Sequence, residues 1–175
     1  MKHSLLIAVA VIAFSNVAFS QTKQDSIAWL NEINKAYDIS KATGKPIFAF
    51  FTGSDWCGWC HKLQAEVFAK PAFKEWANNE VVLLELDYPR RKPMPQNLAQ
   101  QNETLKNVFK ISGFPTIWLF CISEDKEKEK HLVISPYGSL GYPKDPVQGK
   151  EEVAFLENAK NILASRTCPI VGSDR

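Results

Sequence analysis

The sequence lacks a strong excess of charge, which limits the partners that it can be expected to bind. Its 21 basic and 19 acidic residues give a formal net charge of only +2 at pH 7. Nothing in that balance indicates nucleic acid or an anionic membrane surface as a partner. Internal repeats and low-complexity linkers are also missing, so we expect neither a solenoid nor a chain of tethered modules.

Potential metal ligands are few and dispersed. The chain has only three histidines and four cysteines, and only Cys57 and Cys60 form a close pair. A structural zinc site requires four ligands, usually as two close pairs. The other candidates are scattered along the chain: His61, Cys121, His131 and Cys168. We therefore expect no metal site.

Long apolar runs are missing as well. The uninterrupted run near the N-terminus, Leu5–Phe14, has ten residues, fewer than a membrane-spanning helix needs. Lys2 precedes it and the small-x-small sequence Ala18–Ser20 follows, which predicts a secretory signal peptide over residues 1–20. An N-terminal membrane anchor is the alternative. Cleavage would leave residues 21–175 as a single exported domain, not inserted in the membrane, and we expect the bacterial periplasm as its compartment.

The stretch Phe50–Leu63 (FFTGSDWCGWCHKL) contains the strongest chemical pattern. An apolar run typical of a buried strand, Pro46–Phe51, precedes the cysteines, and the spacing after Cys60 predicts a helix. A helix that begins near Cys57 places its sulfur among unpaired backbone N–H groups, which stabilise a thiolate. Cys60, almost one turn further on, can then resolve a mixed disulfide. The pattern predicts thiol–disulfide exchange with protein or peptide partners, without a cofactor.

A second segment, Lys110–Phe120 (KISGFPTIWLF), completes a resemblance to a known family. Together the two segments resemble the thioredoxin superfamily, in particular exported thioredoxin-like proteins with a T-G-S-x-W-C-x-x-C motif. The resemblance extends from about Ile27 to about Leu163. It implies a thioredoxin-like α/β fold, with a central mixed β-sheet and helices on both faces. It also implies that Cys57 is the nucleophile and Cys60 the resolving thiol.

The resemblance further implies a substrate-binding surface beside the cysteines. The residues expected to form it are Trp56, Gly58, Trp59, Phe114, Pro115 and Thr116. The Phe114–Pro115 bond is expected to be cis, with its neighbours paired to the substrate's backbone. Trp59, between the cysteines, has little room to turn inward and is expected to be exposed. Trp56 has two open interpretations, core packing or contact with a partner.

Two departures from the family pattern affect the chemistry. Reference members carry a buried carboxylate in the strand before the motif, whereas Phe48–Phe51 offers none, so the sequence identifies no proton acceptor for Cys60. The dipeptide Gly58-Trp59 replaces the Gly–Pro of thioredoxin, so the redox potential cannot be transferred.

The direction of electron flow is predicted from the charges near the nucleophile. The only cations close in sequence are His61 and Lys62, while Asp55 is a like charge that opposes ionisation of Cys57 if it lies nearby. A strong oxidant needs a deeply lowered thiolate pKa. We therefore favour a reductase over a disulfide oxidase or isomerase.

Hydrophobic periodicity predicts the order of the elements. The expected helices run from Asp25 or Ser26 to about Ala42, onward from Cys60, from Pro71, from Gln96 to Lys110 and from Glu151 to Ala164. The expected strands are Ile47–Phe51, Val81–Asp87, Thr116–Ile122 and His131–Ser135. A right-handed crossover makes the first two strands parallel, and the charged turn Glu124–Lys130 makes the last two an antiparallel hairpin.

Two rival functions use the same residues. Cys57–His61 also fits the C-x-x-C-H signature of covalent haem attachment, with His61 as one ligand and Met94 or His131 as the other. A small c-type cytochrome is helical, however, whereas strands are predicted on both sides of this motif. The other rival is a non-enzymatic binding module with a structural Cys57–Cys60 bridge, which would need neither an intact thiol pair nor the Pro115 loop.

Two further features stay open at this point. Cys121 and Cys168 either form a structural disulfide that pins the C-terminal tail, or remain a buried core thiol and a thiol that is free or paired elsewhere. The basic loop Pro89–Pro95 (PRRKPMP) is predicted to be a solvated connection rather than a docking site for an acidic partner.

Overall fold

The structure is a computed structural model that describes residues 27–125, 131–164 and 166–169. The predicted signal peptide, the proposed helix caps at residues 25–26 and residues 126–130 of the charged turn lie outside this range. The described helices are α1 (Ile33–Thr43), α2 (Gly58–Leu63), α3 (Pro71–Glu80), α4 (Gln96–Val108) and α5 (Glu151–Leu163). The described strands are β1 (Ile47–Thr52), β2 (Val82–Asp87), β3 (Thr116–Glu124) and β4 (Leu132–Leu140).

The strands form one four-stranded sheet in the order β2-β1-β3-β4. Strands β1 and β2 are parallel, whereas β1–β3 and β3–β4 are antiparallel. The predicted parallel pair and the predicted hairpin are both confirmed. The sheet is therefore mixed, as the thioredoxin-like fold class requires.

Strand β1 is buried along its whole length because helices cover both faces of the sheet. Phe48 and Phe50 point to one face, where they pack with buried residues of α2, α3 and α5. Ala49 and Phe51 point to the other face, against residues of α1 and α4. A central strand buried on both sides needs apolar residues at consecutive positions, which is the pattern that this segment shows.

The prediction that the first helix already includes residues 27–32 is wrong. The helix begins at Ile33, because the backbone of Leu30 is used in sheet pairing beside β2. The N–H of Leu30 donates to the carbonyl of Leu83 at 3.0 Å, and its own carbonyl accepts from the N–H of Glu85 at 2.7 Å. Leu30 therefore extends the edge of the sheet instead of lying on a helix face.

The last strand is longer than the prediction of His131–Ser135. Strand β4 continues through Pro136 to Leu140, with a register shift between Leu119 and Phe120 of β3 where Pro136 is paired. Proline is tolerated at such an irregularity on an edge strand, where a missing N–H leaves no central hydrogen bond unmade.

The helix that follows the motif cysteines has an α-helical part and a π-helical part. Helix α2 continues as one π-helical turn, Gln64–Phe68, which periodicity did not predict. This turn adds Val67 and Phe68 to the buried cluster that contains both motif cysteines. No helix in the described ranges is long and apolar enough to cross a bilayer.

Candidate active site

Cys57 and Cys60 form a disulfide at the start of α2, with their Cα atoms 5.2 Å apart. Cys57 is the N-cap residue, and its sulfur accepts the backbone N–H of Cys60 at 3.2 Å. The carbonyl of Cys57 accepts the N–H groups of Cys60 and His61. The predicted position of Cys57 at a helix N-terminus is therefore confirmed. Cys57 is 5% exposed and Cys60 is fully buried, so of the two residues only Cys57 retains any contact with solvent.

The loop before the motif is held by the end of β2. Ser54 donates both its backbone N–H and its hydroxyl to the carboxylate of Asp87, at 2.8 and 2.6 Å. The indole N–H of Trp56 donates to the carbonyl of Tyr88 at 2.8 Å. A side chain at Gly53 would overlap the Trp56 ring, so the close approach of this ring requires glycine. These contacts fix the indole of the residue directly before Cys57.

Asp55 is buried and directed into the basic loop. Its carboxylate accepts the backbone N–H groups of Arg90 and Arg91, at 3.0 and 2.7 Å. These donors, with that of Arg90 as the larger influence, hold the pKa of Asp55 below its ordinary value. The guanidinium of Arg91 also donates to the backbone carbonyl of Asp55. The first residues of the loop are thus fixed against the site.

Arg90 is a site residue that sequence reasoning missed. Its guanidinium carbon lies 3.8 Å from the centroid of the Trp56 ring, and the side chain is exposed. The only cations close to the cysteines in the sequence are His61 and Lys62. An arginine in a distant loop gave no signal of this proximity, although the run PRRK marked a local excess of charge.

Trp59 is 58% exposed, as predicted, and its ring packs against Tyr142 with centroids 5.2 Å apart. The ammonium of Lys62 lies 5.2 Å from the Trp59 centroid and 4.9 Å from that of Tyr142. The hydroxyl of Tyr142 donates to the carboxylate of Glu66. A hydrogen bond with Tyr142 and the negative charge of Glu66 raise the pKa of Lys62. Tyr142, from the segment after β4, is a second residue that the sequence did not identify.

The Phe114–Pro115 peptide bond is cis, as expected. Phe114 packs edge-on against Trp56 with ring centroids 5.6 Å apart, so this loop lies beside the nucleophile's tryptophan. Thr116 begins β3 and is paired with Phe51. The predicted surface residues Trp56 and Phe114 are therefore in direct contact.

Gly58 is exposed, and a side chain added there would meet no atom within 4 Å. It is the first residue of α2. Unlike Gly53, it is not required by a close packing contact.

The proposed haem ligands His61 and Met94 make contacts with other parts of the protein. Nε2 of His61 is 2.8 Å from the carbonyl oxygen of Ser54, to which it must donate a proton. A nitrogen engaged in this way is not available as a haem ligand. The sulfur of Met94, one of the two proposed opposite ligands, lies 3.9 Å from the amide nitrogen of Asn102. Within the described part of the chain, no group of three or more histidine, cysteine, aspartate or glutamate side chains is arranged to hold a metal ion.

A carboxylate on the motif side of the sheet comes from β2 and not from β1. Glu85 is paired with Phe50 in the parallel register, so both side chains lie on the face that packs against the motif helix. Burial, and then the negative charge of Asp87, raise the pKa of Glu85 above its ordinary value. The sequence did not indicate Glu85, because pairing between two strands has no local signature.

Cys121 and Cys168 form a second disulfide, with Cα atoms 5.6 Å apart. Both are buried, and the hydroxyl of Tyr137 lies 2.9 Å from the sulfur of Cys121. The N–H of Cys168 donates to the carbonyl of Gly44, at the end of α1. Of the two possibilities that the sequence left open, the structure has the bridged tail.

Comparison with known proteins gives the same fold. Residues 33–125 match the family described as thioredoxin-like domain. The chain is 36% identical over 108 residues to the disulfide bond reductase DsbH of Chlamydia pneumoniae, which covers 62% of this chain and 64% of that protein. It is also 36% identical over 100 residues to the thioredoxin-related protein DsbJ of Chlamydia pneumoniae, covering 57% and 29%. The match thus spans less than two-thirds of either relative's length.

Two solved structures resemble the whole architecture. A structure of a DsbH oxidoreductase has a TM-score of 0.64 and 28% identity, covering 87% of this chain and 96% of that one. A thioredoxin from Thermus thermophilus has a TM-score of 0.55 at 14% identity, covering 78% and 87%. The second likeness concerns the fold alone.

Proposed function

The chain belongs to the thioredoxin-like domain family, and on that premise we propose that it is a thiol–disulfide oxidoreductase that reduces disulfides of exported proteins. The observation that carries this proposal is the Cys57–Cys60 pair at the start of α2, where the Cys57 sulfur accepts a backbone N–H. The name disulfide bond reductase, carried by the similar DsbH, supports the reducing direction.

In the proposed reaction, the Cys57 thiolate attacks one sulfur of a substrate disulfide. The substrate S–S bond breaks as the mixed disulfide forms, and the departing sulfur leaves as a thiolate that takes up a proton. The thiol of Cys60 then loses its proton, attacks the Cys57 sulfur and releases the second substrate sulfur. Two electrons and two protons pass to the substrate, and the protein is left with the Cys57–Cys60 disulfide.

The site favours the Cys57 thiolate by a moderate amount. The helix N-terminus contributes about 0.3–1 kcal/mol, or about 2 kcal/mol in a favourable buried geometry, which corresponds to less than about two pKa units. Arg90 and Lys62 lie on the rings of Trp56 and Trp59, the tryptophans directly before Cys57 and Cys60. We therefore expect a Cys57 pKa moderately below that of a free thiol.

A mixed-disulfide trap tests the assignment of the two cysteines. Replacing Cys60 by serine removes the resolving thiol, so the Cys57→Ser and Cys60→Ser variants should behave differently with a disulfide-containing protein substrate. We expect Cys60→Ser to accumulate a covalent adduct on non-reducing gels and Cys57→Ser to form little. If both variants trap the substrate equally, the assigned roles of Cys57 and Cys60 are wrong.

Arg90 and Lys62 are also the specific argument for the opposite direction, disulfide oxidation. Positive charge that acts on the Cys57 sulfur stabilises its thiolate, and therefore the reduced form of the protein. The reduction potential of the Cys57–Cys60 couple decides between a reductase and an oxidase. Thioredoxin has a potential of about −270 mV and a strong oxidant one of about −120 mV. We expect the Cys57–Cys60 couple, equilibrated with glutathione, to lie in the reducing half of that range. A value close to that of the strong oxidant would replace reductase by oxidase.

The compartment and electron source are part of the same proposal. The N-terminal 20 residues resemble a signal peptide, and the Dsb names of the two relatives support an exported, periplasmic protein. A reductase in an oxidising compartment must be reduced again after each turnover. We propose that an electron donor with its own dithiol, held at the membrane, supplies those electrons.

A further inference from the structure

Two exposed cations flank the nucleophile, each held on the face of a tryptophan. Arg90 lies over Trp56, the residue directly before Cys57. Lys62 lies beside the ring of Trp59, the residue between the two cysteines. We call Arg90 and Lys62, with these two rings, the cationic rim.

The Arg90 side of the rim is rigidly positioned. The backbone N–H of Arg90 donates to buried Asp55 at 3.0 Å, and the neighbouring Arg91 is held by the same carboxylate. Trp56 is fixed in turn by its hydrogen bond to Tyr88. A guanidinium that lies on a fixed ring is held in place, so less conformational entropy is lost when it binds a carboxylate.

The positive charge on the Lys62 side is offset by carboxylates, because the negative charges of Glu66 and Glu151 both act on the Lys62 ammonium. The carboxylate of Glu66 lies 4.0 Å from the Lys62 ammonium and also accepts the hydroxyl of Tyr142. Lys62 nevertheless remains 45% exposed. We therefore expect Arg90 to contribute more than Lys62 to the attraction of an anion.

The acidic groups closest to the motif loop are engaged with the protein itself. Asp55 is only 8% exposed and is bonded to two backbone N–H groups. Asp87 accepts two hydrogen bonds from Ser54. Both carboxylates thus have partners within the protein, whereas Arg90 is exposed beside Trp56. On the Arg90 side, the surface beside Trp56 is therefore positive and aromatic.

We propose that the cationic rim selects disulfide substrates that carry carboxylate side chains next to the reactive cysteine. This inference rests on the proposed function, because it specifies the substrates of the same site. The acidic residues of the bound chain pair with Arg90 and Lys62, while its backbone and apolar side chains pack on Trp56 and Trp59. The occupant is an acidic polypeptide segment, reduced in the reaction described above.

The test compares three short peptides that differ only beside a single cysteine, which is flanked by glutamate, glutamine or lysine. Each peptide is oxidised to its disulfide-linked dimer and mixed with stoichiometric pre-reduced protein, which supplies the electrons. The free peptide thiol is quantified over time by chromatography. Each rate is divided by that for the same peptide with dithiothreitol, which also attacks as a thiolate but carries no cationic group, so that intrinsic disulfide reactivity and repulsion of the thiolate by the peptide both cancel. The Cys57→Ser variant gives the baseline.

We expect the glutamate peptide to react about 5- to 30-fold faster than the lysine peptide at low ionic strength. The ratio should fall to about 2-fold or less at about 0.5 M salt, because screening weakens exposed charge pairs. This salt series uses the unaltered protein, so it does not depend on the folding of any variant.

Substitutions locate the preference on the rim. Arg90→Gln should lower the glutamate-to-lysine ratio by about 3-fold or more and Lys62→Gln by less, since mutation of a rim charge changes the association rate. Arg90→Lys keeps the charge and should retain most of the preference. Lys160→Gln, exposed on α5, removes one positive charge elsewhere and should leave the ratio unchanged.

The outcomes separate the inference from the proposed function. If all three peptides are reduced at similar normalised rates at low salt, the inference is overturned and the reductase assignment stands. A preference that survives in the Arg90→Gln/Lys62→Gln double variant overturns the assignment to the rim. If dithiothreitol reduces the peptides but the protein reduces none, the proposed function fails and the inference fails with it.

Discussion

At the residue scale, the position of Trp56 depends on the absence of a side chain at Gly53. The indole lies directly over this glycine, where a Cβ would overlap the ring. The same indole carries Arg90 on one side and contacts Phe114 on another. One missing methyl group therefore decides the geometry beside Cys57.

Replacing Gly53 by alanine should displace the Trp56 ring. Overpacking of this kind costs about 1–3 kcal/mol, so we expect a lower free energy of unfolding and slower disulfide reduction. Gly58→Ala is the matched control for stability, because nothing lies within 4 Å of the added atom. Denaturant unfolding of both variants measures the difference. A Gly53→Ala protein as stable as Gly58→Ala would contradict the packing argument.

At the element scale, β2 supplies the charged groups that β1 lacks. Strand β1 is entirely buried and apolar but for Thr52, whereas β2 places Glu85 beside Phe50 and Asp87 beside the motif loop. Asp87 is satisfied by Ser54. Glu85 lies in a partly buried environment that raises its pKa, so its ionised form is disfavoured in the folded protein.

The raised pKa of Glu85 predicts a pH-dependent effect of Glu85→Gln. In the unfolded chain a glutamate titrates at about 4.3. As pH rises through that value and then through the higher folded pKa, the unfolded state releases its proton first, so the wild-type protein loses stability. Glutamine has no such cost, so we expect Glu85→Gln to be more stable than wild type at neutral pH but not at about pH 3.

Thermal unfolding at the two pH values measures this effect. A gain of about 1 kcal/mol would raise Tm by roughly 2–4 °C for a domain of this size. Glu80→Gln, exposed at the end of α3, is the control. A loss of stability at neutral pH would mean that Glu85 is held by favourable contacts and not penalised by burial.

At the scale of the whole molecule, the Cys121–Cys168 disulfide fastens the C-terminal tail to the sheet. The bridge joins β3 to residues beyond α5, with a sequence separation of 47. The tail also meets the end of α1 through the Cys168 N–H and Gly44. A cross-link over so long a loop restricts the unfolded chain strongly.

Removing this bridge with Cys121→Ala/Cys168→Ala should lower the free energy of unfolding by about 2–4 kcal/mol. Removing the motif bridge with Cys57→Ala/Cys60→Ala should cost less in chain entropy, because that loop spans a separation of only 3. Denaturant unfolding under oxidising conditions compares the two double variants. An equal or smaller loss for the 121–168 pair would contradict a stapling role.

The predicted order of strands along the chain and the position of the motif at the start of a helix were correct, because their signals are local. The consecutive apolar residues of Ile47–Thr52 predicted a central strand, and the structure buries all of them. The C-x-x-C spacing predicted Cys57 at the start of a helix, which the structure confirms. The start of α1 was wrong because Leu30 pairs with the edge of β2, a contact between segments far apart in the chain.

The sequence by itself determined the fold class, the motif cysteines and the cis-proline loop, because periodicity, C-x-x-C spacing and the Gly-x-Pro-Thr segment are encoded in neighbouring residues. Only the tertiary structure decided what surrounds the nucleophile. Arg90 and Tyr142 reach the site from distant loops, and Glu85 reaches the motif side of the sheet through strand pairing. Their positions follow from how folded segments pack against each other, and no window of sequence contains that information.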